Sequence, residues 1–241
     1  MRTVLEILFI IIFAIIISPF VLLIEFIIGK FNPELKSRSS LRYVQFFFKG
    51  MMFISGTKVE VIGRENIPDD QPVLYVGNHR SYFDIIATYP LVKGLTGYVA
   101  KKEIEKVPIL RKWMKNLHCV FIDRSDLRQS LKVIIECIDM VKSGISVCIF
   151  PEGTRNKEPG MLEYKEGSMK IAEKSGCPII PMAITGTAEI FENHQPWVKK
   201  SHVTVTFGKP IIVSELTKEE RKFLGAYTRE KILAMLPDDM K

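Results

Sequence analysis

Between Glu6 and Glu25 the chain carries no charged side chain. Ile7 to Ile24 is an apolar run broken only by Ser18 and Pro19. Away from water such a run must satisfy its own backbone, and a helix does so with local partners alone. At about eighteen residues it extends roughly 27 Å as a helix, a little under the ~30 Å of a bilayer's hydrocarbon core. Pro19, which lacks an N–H, is expected to kink it. No small-x-small cleavage site follows and Glu25 interrupts the flank, so a removed signal peptide is the least favoured reading. A spanning helix and a helix dipping into one leaflet both stay open. Leu41 to Phe53 is aromatic and apolar with sparse cations, and reads as an interfacial amphipathic helix, the alternative being an ordinary core helix. Lys30, Lys36, Arg38 and Arg42 lie between the two segments. They suit the cytoplasmic side of a membrane or anionic head groups. Residues 1–55 are therefore read as an N-terminal anchor of two hydrophobic helices, on the cytoplasmic face of the cell membrane. Residues 56–241 are read as the domain it carries.

From Thr57 onward short apolar runs alternate with amphipathic ones. Strands are expected at Lys58–Ile62, Val73–Gly77, Gly97–Ala100, Cys119–Ile122, Ser146–Phe150, Ile179–Ile184 and His202–Phe207. Helices are expected from Ser81 to about Lys93, Pro108–Leu117, Lys165–Lys174, and Glu215 to about Met235. Ser125 is the expected N-cap of a further helix that Gly144 ends. Leu127, Leu131, Ile134, Ile135 and Ile138 would form its apolar face. Strands alternating with helices imply an α/β fold: a single domain with a central mixed, largely parallel sheet flanked by helices. There is no internal repeat, low-complexity tract or interdomain linker.

The formal net charge is +7. A basic chain can meet nucleic acid, anionic lipid or an acidic protein. No nucleic-acid module or aromatic-basic stripe is present, so nucleic acid is not an expected partner. The apolar N-terminus favours lipid. Cys119, Cys137, Cys148 and Cys177 show no CxxC spacing, so no metal site is expected. Their apolar contexts fit buried, reduced thiols.

The chemistry is concentrated in two strings. The first is Asn78-His79-Arg80-Ser81-Tyr82-Phe83-Asp84. A strand delivers His79 to its carboxyl end, where open α/β sheets bind ligands. Ser81 is the expected N-cap of the next helix, with Asp84 at its third position in a capping-box variant. From there Asp84 can reach the imidazole, fixing its tautomer and leaving the other nitrogen free as a base. The structural alternative is a cap and a strand end with no chemistry. The second string is Phe150-Pro151-Glu152-Gly153-Thr154-Arg155. Pro151 stops a strand and Gly153 permits a close turn whose amides can face an anion. Arg155 adds a planar fork suited to phosphate. A base with its acid, beside an anion-binding turn, suits acyl transfer onto a phosphorylated alcohol.

Four ordered blocks resemble those of the glycerolipid acyltransferases, a family that includes bacterial 1-acylglycerol-3-phosphate acyltransferases. The first string resembles the catalytic His-x4-Asp block. Phe121-Ile122-Asp123-Arg124 is similar to the second block, the Glu152 string to the third, and Pro178-Ile179-Ile180-Pro181 to the fourth. Tyr164-Lys165-Glu166-Gly167 resembles a Phe-Lys-x-Gly stretch of relatives, with tyrosine as the aromatic. The resemblance implies His79 as general base and Asp84 as its orienter. It implies Arg124, Glu152, Gly153, Thr154 and Arg155 at the substrate phosphate, and Lys101 as a phosphate or oxyanion contact. It implies no permanently bound cofactor. An acyl thioester, either acyl-CoA or acyl-acyl carrier protein, would be the co-substrate, and lysophosphatidate, a membrane lipid, the acceptor. Acylation of glycerol 3-phosphate or another lysophospholipid is the alternative within the class. A non-catalytic lipid-binding membrane protein is the alternative outside it, and would leave the His79–Asp84 pairing unexplained. A serine hydrolase is disfavoured because no GxSxG elbow frames Ser168.

Overall fold

The computed structural model of the chain describes residues 1–158 and 160–240. Among them a seven-stranded sheet runs in the order β1-β7-β6-β2-β5-β3-β4. Its strands are β1 (Lys58–Ile62), β2 (Leu74–Gly77), β3 (Thr96–Lys101), β4 (Val120–Ile122), β5 (Ser146–Ile149), β6 (Ile179–Thr185) and β7 (His202–Phe207). All neighbouring pairs are parallel except β6 and β7. β2, β5 and β6 are apolar on both faces because helices cover both. Alternate side chains feed two cores. Tyr75, Cys148, Ile180 and Met182 face one; Leu74, Val76, Val147, Ile149 and Ile179 face the other.

The first core is closed by α3 (Pro33–Ser55), α4 (Phe83–Thr88) and α5 (Pro108–Asn116), through Val44, Met52, Phe83, Ala87 and Trp113. The second is closed by α6 (Leu127–Lys142), α7 (Lys170–Ser175) and α9 (Leu224–Met235), through Val133, Cys137, Val141, Ile171 and Ile232. The short α8 (Lys218–Lys222) opens on a capping box between Thr217 and Glu220.

At the N-terminus, α1 (Arg2–Ile10) and α2 (Ser18–Phe31) join through a π-helical stretch, Ile11–Ile17, into one helix long and apolar enough to cross a membrane. Pro19 does not break it. The widened turn just before Pro19 absorbs the missing donor. The Phe13 carbonyl takes the Ser18 amide across this turn and also accepts from Ser18 Oγ (2.9 Å) and Tyr43 OH (2.7 Å). Asn32 caps α3 through the Leu35 amide at 2.9 Å, and Gly56 closes it at φ 73°. The two long helices form a hairpin: Phe9 stacks on Phe47, and Arg2 lies beside Gly56.

Several local expectations change. α4 stops at Thr88, since Pro90 cannot donate to the preceding turn. Asp126, rather than Ser125, caps α6, accepting from the amides of Arg128 and Gln129; Ser125 donates to Asp123 instead. Val133, Cys137 and Val141 form the buried face of α6, whereas Leu127, Leu131 and Ile135 are exposed. The expected final helix is two, broken at Phe223, and the segment from Lys165 starts as a 3-10 turn, Glu166–Met169.

Candidate active site

Because β2, β3, β4, β5 and β6 run in one direction, the chain leaves all of them at one edge of the sheet. Asn78 continues β2 with its side chain: its Nδ2 donates to the Ile184 carbonyl (2.9 Å) and its Oδ1 accepts from the Ile184 amide (2.8 Å). This side-chain ladder delivers His79 just past the end of the sheet. His79 is then clamped by its backbone. Its N–H donates to Glu152 Oε1 at 2.7 Å, and its carbonyl accepts from the Asn156 amide at 2.8 Å.

The imidazole is oriented from two directions. Nδ1 lies 2.8 Å from Asp84 Oδ2, and the ring stacks on Phe150 at 4.4 Å between centroids, tilted by 18°. Nε2 has no hydrogen-bond partner among the described residues. Asp84 is 1% exposed and also accepts from the amides of Arg80 (2.7 Å) and Ser81 (2.8 Å) on the same oxygen. Its other oxygen accepts from Thr187 Oγ1 at 2.5 Å. Ser81 Oγ accepts from the Phe83 amide at 2.9 Å, but Tyr82 rather than Ser81 is the N-cap of α4, and the Asp84 amide bonds to the Ser81 carbonyl, so the expected capping box is only half formed.

The loop after β5 brings the second string to the same edge. Gly153 sits at φ 76°, a conformation that disfavours any side chain. A Cβ there would lie 3.2 Å from Lys165 Nζ and 3.8 Å from Arg124 Cδ, so two cations converge on this turn. Arg155 follows two residues later on the same loop. Its guanidinium sits 3.6 Å above the Tyr82 ring and reaches Glu192 Oε1 at 3.3 Å. Both oxygens of Glu152 are taken by backbone amides, those of His79 and Leu162, which makes this carboxylate a brace for the loop. Its burial holds its pKa above the ordinary carboxylate value, against the pull of those two amides. Thr154 is exposed. Lys101, at the end of β3, directs its ammonium to Glu103 at 3.1 Å. Asp123, next to Arg124, is held down to about 2 by the Ser125 hydroxyl, the Ser125 amide and Lys102.

Two contributors are missing from the sequence reading: Thr187, on Asp84, and Glu192, on Arg155. Both come from the chain following β6, beyond all four blocks. Phe150 was quoted in its block, but nothing local showed that its ring would lie against His79.

Fold and site together define a class, an α/β domain with an acid-oriented imidazole and several cations at the carboxyl edge of its sheet. Residues 58–185 match the family described as Acyltransferase. A 1-acyl-sn-glycerol-3-phosphate acyltransferase of Chlamydomonas reinhardtii is 32% identical over 176 residues, covering 70% of this chain and 53% of that protein. A probable 1-acyl-sn-glycerol-3-phosphate acyltransferase of Mycoplasma genitalium is 32% identical over 223 residues, covering 83% and 81%. The crystal structure of the 1-acyl-sn-glycerophosphate (LPA) acyltransferase, PlsC, from Thermotoga maritima superposes with a TM-score of 0.81 at 26% identity, covering 98% of this chain and 96% of that one. The chain belongs to the acyltransferase family. It spans 53–55% of the length of the algal, Arabidopsis and Brassica relatives.

Proposed function

We propose that this chain transfers a fatty acyl group from an acyl thioester to the sn-2 hydroxyl of 1-acylglycerol 3-phosphate, giving phosphatidate. The donor is carried by coenzyme A or acyl carrier protein. The observation that carries this reading is the His79–Asp84 pair, 2.8 Å apart, with the His79 amide bonded to Glu152 of the cation-lined turn. His79 Nε2 takes the hydroxyl proton as the oxygen attacks the thioester carbonyl. The Asp84 carboxylate stabilises the imidazolium that forms. The tetrahedral intermediate collapses, the C–S bond breaks, and the imidazolium returns its proton to the departing thiolate. Arg155, Arg124 and Lys165 neutralise the acceptor phosphate, and Lys101 adds positive charge at the same edge. Glu152 and Gly153 shape the turn. Thr154, exposed on it, offers a hydroxyl to the same phosphate.

We place the N-terminal hairpin in one leaflet of the membrane. The domain holds it along its length: the Val198 amide donates to Thr3 Oγ1 (2.9 Å), Trp113 Nε1 to Ser18 Oγ (3.0 Å), and His118 Nε2 lies 3.0 Å from Ser37 Oγ. The 14 residues Ser18–Phe31 beyond the Trp113 contact rise about 21 Å, short of the ~30 Å needed to cross. Outward faces of the helix expose Leu8, Ile12, Ile15, Phe20, Leu23 and Ile27. The cations Lys30, Lys36, Arg38 and Arg42 support the cytoplasmic leaflet.

The test uses the purified full chain with a radiolabelled acyl thioester. Lysophosphatidate and glycerol 3-phosphate are offered separately. Labelled phosphatidate from lysophosphatidate, at the higher kcat/KM, is expected. Faster acylation of glycerol 3-phosphate would replace the proposed acceptor.

A further inference from the structure

Glu192 lies in a short 3-10 turn, Glu192–His194, past the end of the residues that match the family. Its side chain is 13% exposed. One oxygen accepts from the Ser81 hydroxyl at 2.6 Å. The other accepts from the Tyr82 amide at 2.7 Å and from Arg155 Nη1 at 3.3 Å. Ser81 and Tyr82 belong to the turn that carries His79 and Asp84; Arg155 belongs to the loop after β5. A single carboxylate therefore ties the base-bearing turn to the cation. The Tyr82 ring completes the fixture, since the guanidinium lies flat on it at 3.6 Å. Glu192 engages one guanidinium nitrogen, and among the described residues the remaining N–H groups have no hydrogen-bond partner, leaving them for an anion.

We propose that Glu192 is a positioning residue that sets the distance between Arg155 and His79, and with it the place of the acceptor phosphate relative to the base. This rests on the reaction proposed above. In lysophosphatidate the reacting hydroxyl and the phosphate are on adjacent carbons, so the cation and the base must be held in register for the hydroxyl to meet Nε2. Glu192 supplies that register from a segment outside the four blocks.

Glu192→Gln separates register from folding. The amide oxygen still accepts from Tyr82, and the amide nitrogen donates to Ser81 Oγ. The Ser81 hydroxyl then turns to the Thr187 carbonyl, 3.3 Å away. The same amide oxygen still faces Arg155 Nη1, so what is lost is the negative charge that strengthens this tie. Steady-state kinetics of the full-length protein are expected to show the lysophosphatidate KM raised about tenfold, as replacing a charge-assisted bond by a neutral one implies. The thioester KM stays unchanged. Preference for lysophosphatidate over 1-monoacylglycerol, the same alcohol without phosphate, narrows. On an Arg155→Gln background, Glu192→Gln adds nothing further. An acceptor KM that is unchanged or lowered, equal rises in both KM values, or full additivity with Arg155→Gln would each overturn the proposal. Calorimetric binding of glycerol 3-phosphate reads the same register without turnover. A wild type that binds it but does not acylate lysophosphatidate contradicts the reaction alone. Equal binding by wild type and Glu192→Gln contradicts the role of Glu192 alone.

Discussion

His79 is held by its backbone, by a carboxylate and by an aromatic face: the backbone and the ring by the one segment Phe150 to Asn156, the imidazole nitrogen by Asp84 from its own string. The first string already contains the carboxylate, because Asp84 reaches back over one helical turn. Its other supports are not local: Thr187 is 103 residues from Asp84 and Glu192 is 111 from Ser81. No periodicity links such positions, which is why the reading of the blocks finds the pair but not its braces. Thr187→Val tests one brace. It leaves a buried carboxylate oxygen without its donor, which costs about 1–3 kcal/mol. A roughly tenfold lower kcat with little change in either KM is expected; unchanged kcat would remove Thr187 from the support of Asp84. The cysteines behave as their apolar contexts imply. All four are free and buried. Burial pushes Cys119 up to about 11 and Cys137 up to about 12, and raises Cys148 and Cys177. Iodoacetamide at pH 8 should therefore label the unfolded protein and spare the native one. Stoichiometric labelling of the native protein would contradict that.

Among the elements, the seven strands were legible to within about two residues because each is a short apolar run between breakers. Helix faces were less so. In α6 the half-buried Ile134 and Ile138 border both the buried and the exposed sides, so apolar spacing alone picks the wrong side. The π-helical stretch before Pro19 was hidden for a different reason: a helix can meet proline by kinking or by widening a turn, and the side chain that decides, Tyr43, belongs to α3. The loop after β5 is the element on which the site depends most. Gly153→Ala forces a Cβ into a left-handed residue, at roughly 1–2 kcal/mol, and toward Lys165. A lower melting temperature and a raised acceptor KM are expected; wild-type values for both would show that the turn tolerates a side chain. Glu152 gives this loop a pH dependence. Its folded pKa is raised by burial, so the folded state binds the proton more tightly than the unfolded state. The resulting stabilisation is present below the unfolded value of about 4.5 and fades as pH rises through the folded one. The melting temperature of wild type minus that of Glu152→Gln should shrink as pH increases over this range. A constant or widening difference would contradict the burial argument.

The whole molecule joins a hairpin with exposed apolar side chains to a cationic sheet edge. The apolar run near the N-terminus made the hairpin legible. Its attachment was not, because the contacts at Thr3, Ser18 and Ser37 involve Val198 on one side and Trp113 and His118, at the end of α5, on the other. Replacing Phe20 and Leu23 together by glutamate removes two exposed apolar side chains worth about 1.5–3 kcal/mol each when buried. Co-sedimentation with anionic vesicles should fall more than tenfold; undiminished co-sedimentation would show that another surface seats the protein. In the proposed reaction one acid-oriented imidazole activates the acceptor hydroxyl. The most direct test of this step is the rate of phosphatidate formation by His79→Ala beside wild type, at matched protein and vesicle concentrations and with melting temperatures compared. A fall of about 10² to 10⁴, the usual worth of such a base, is expected with folding intact. Turnover within a few-fold of wild type would contradict it.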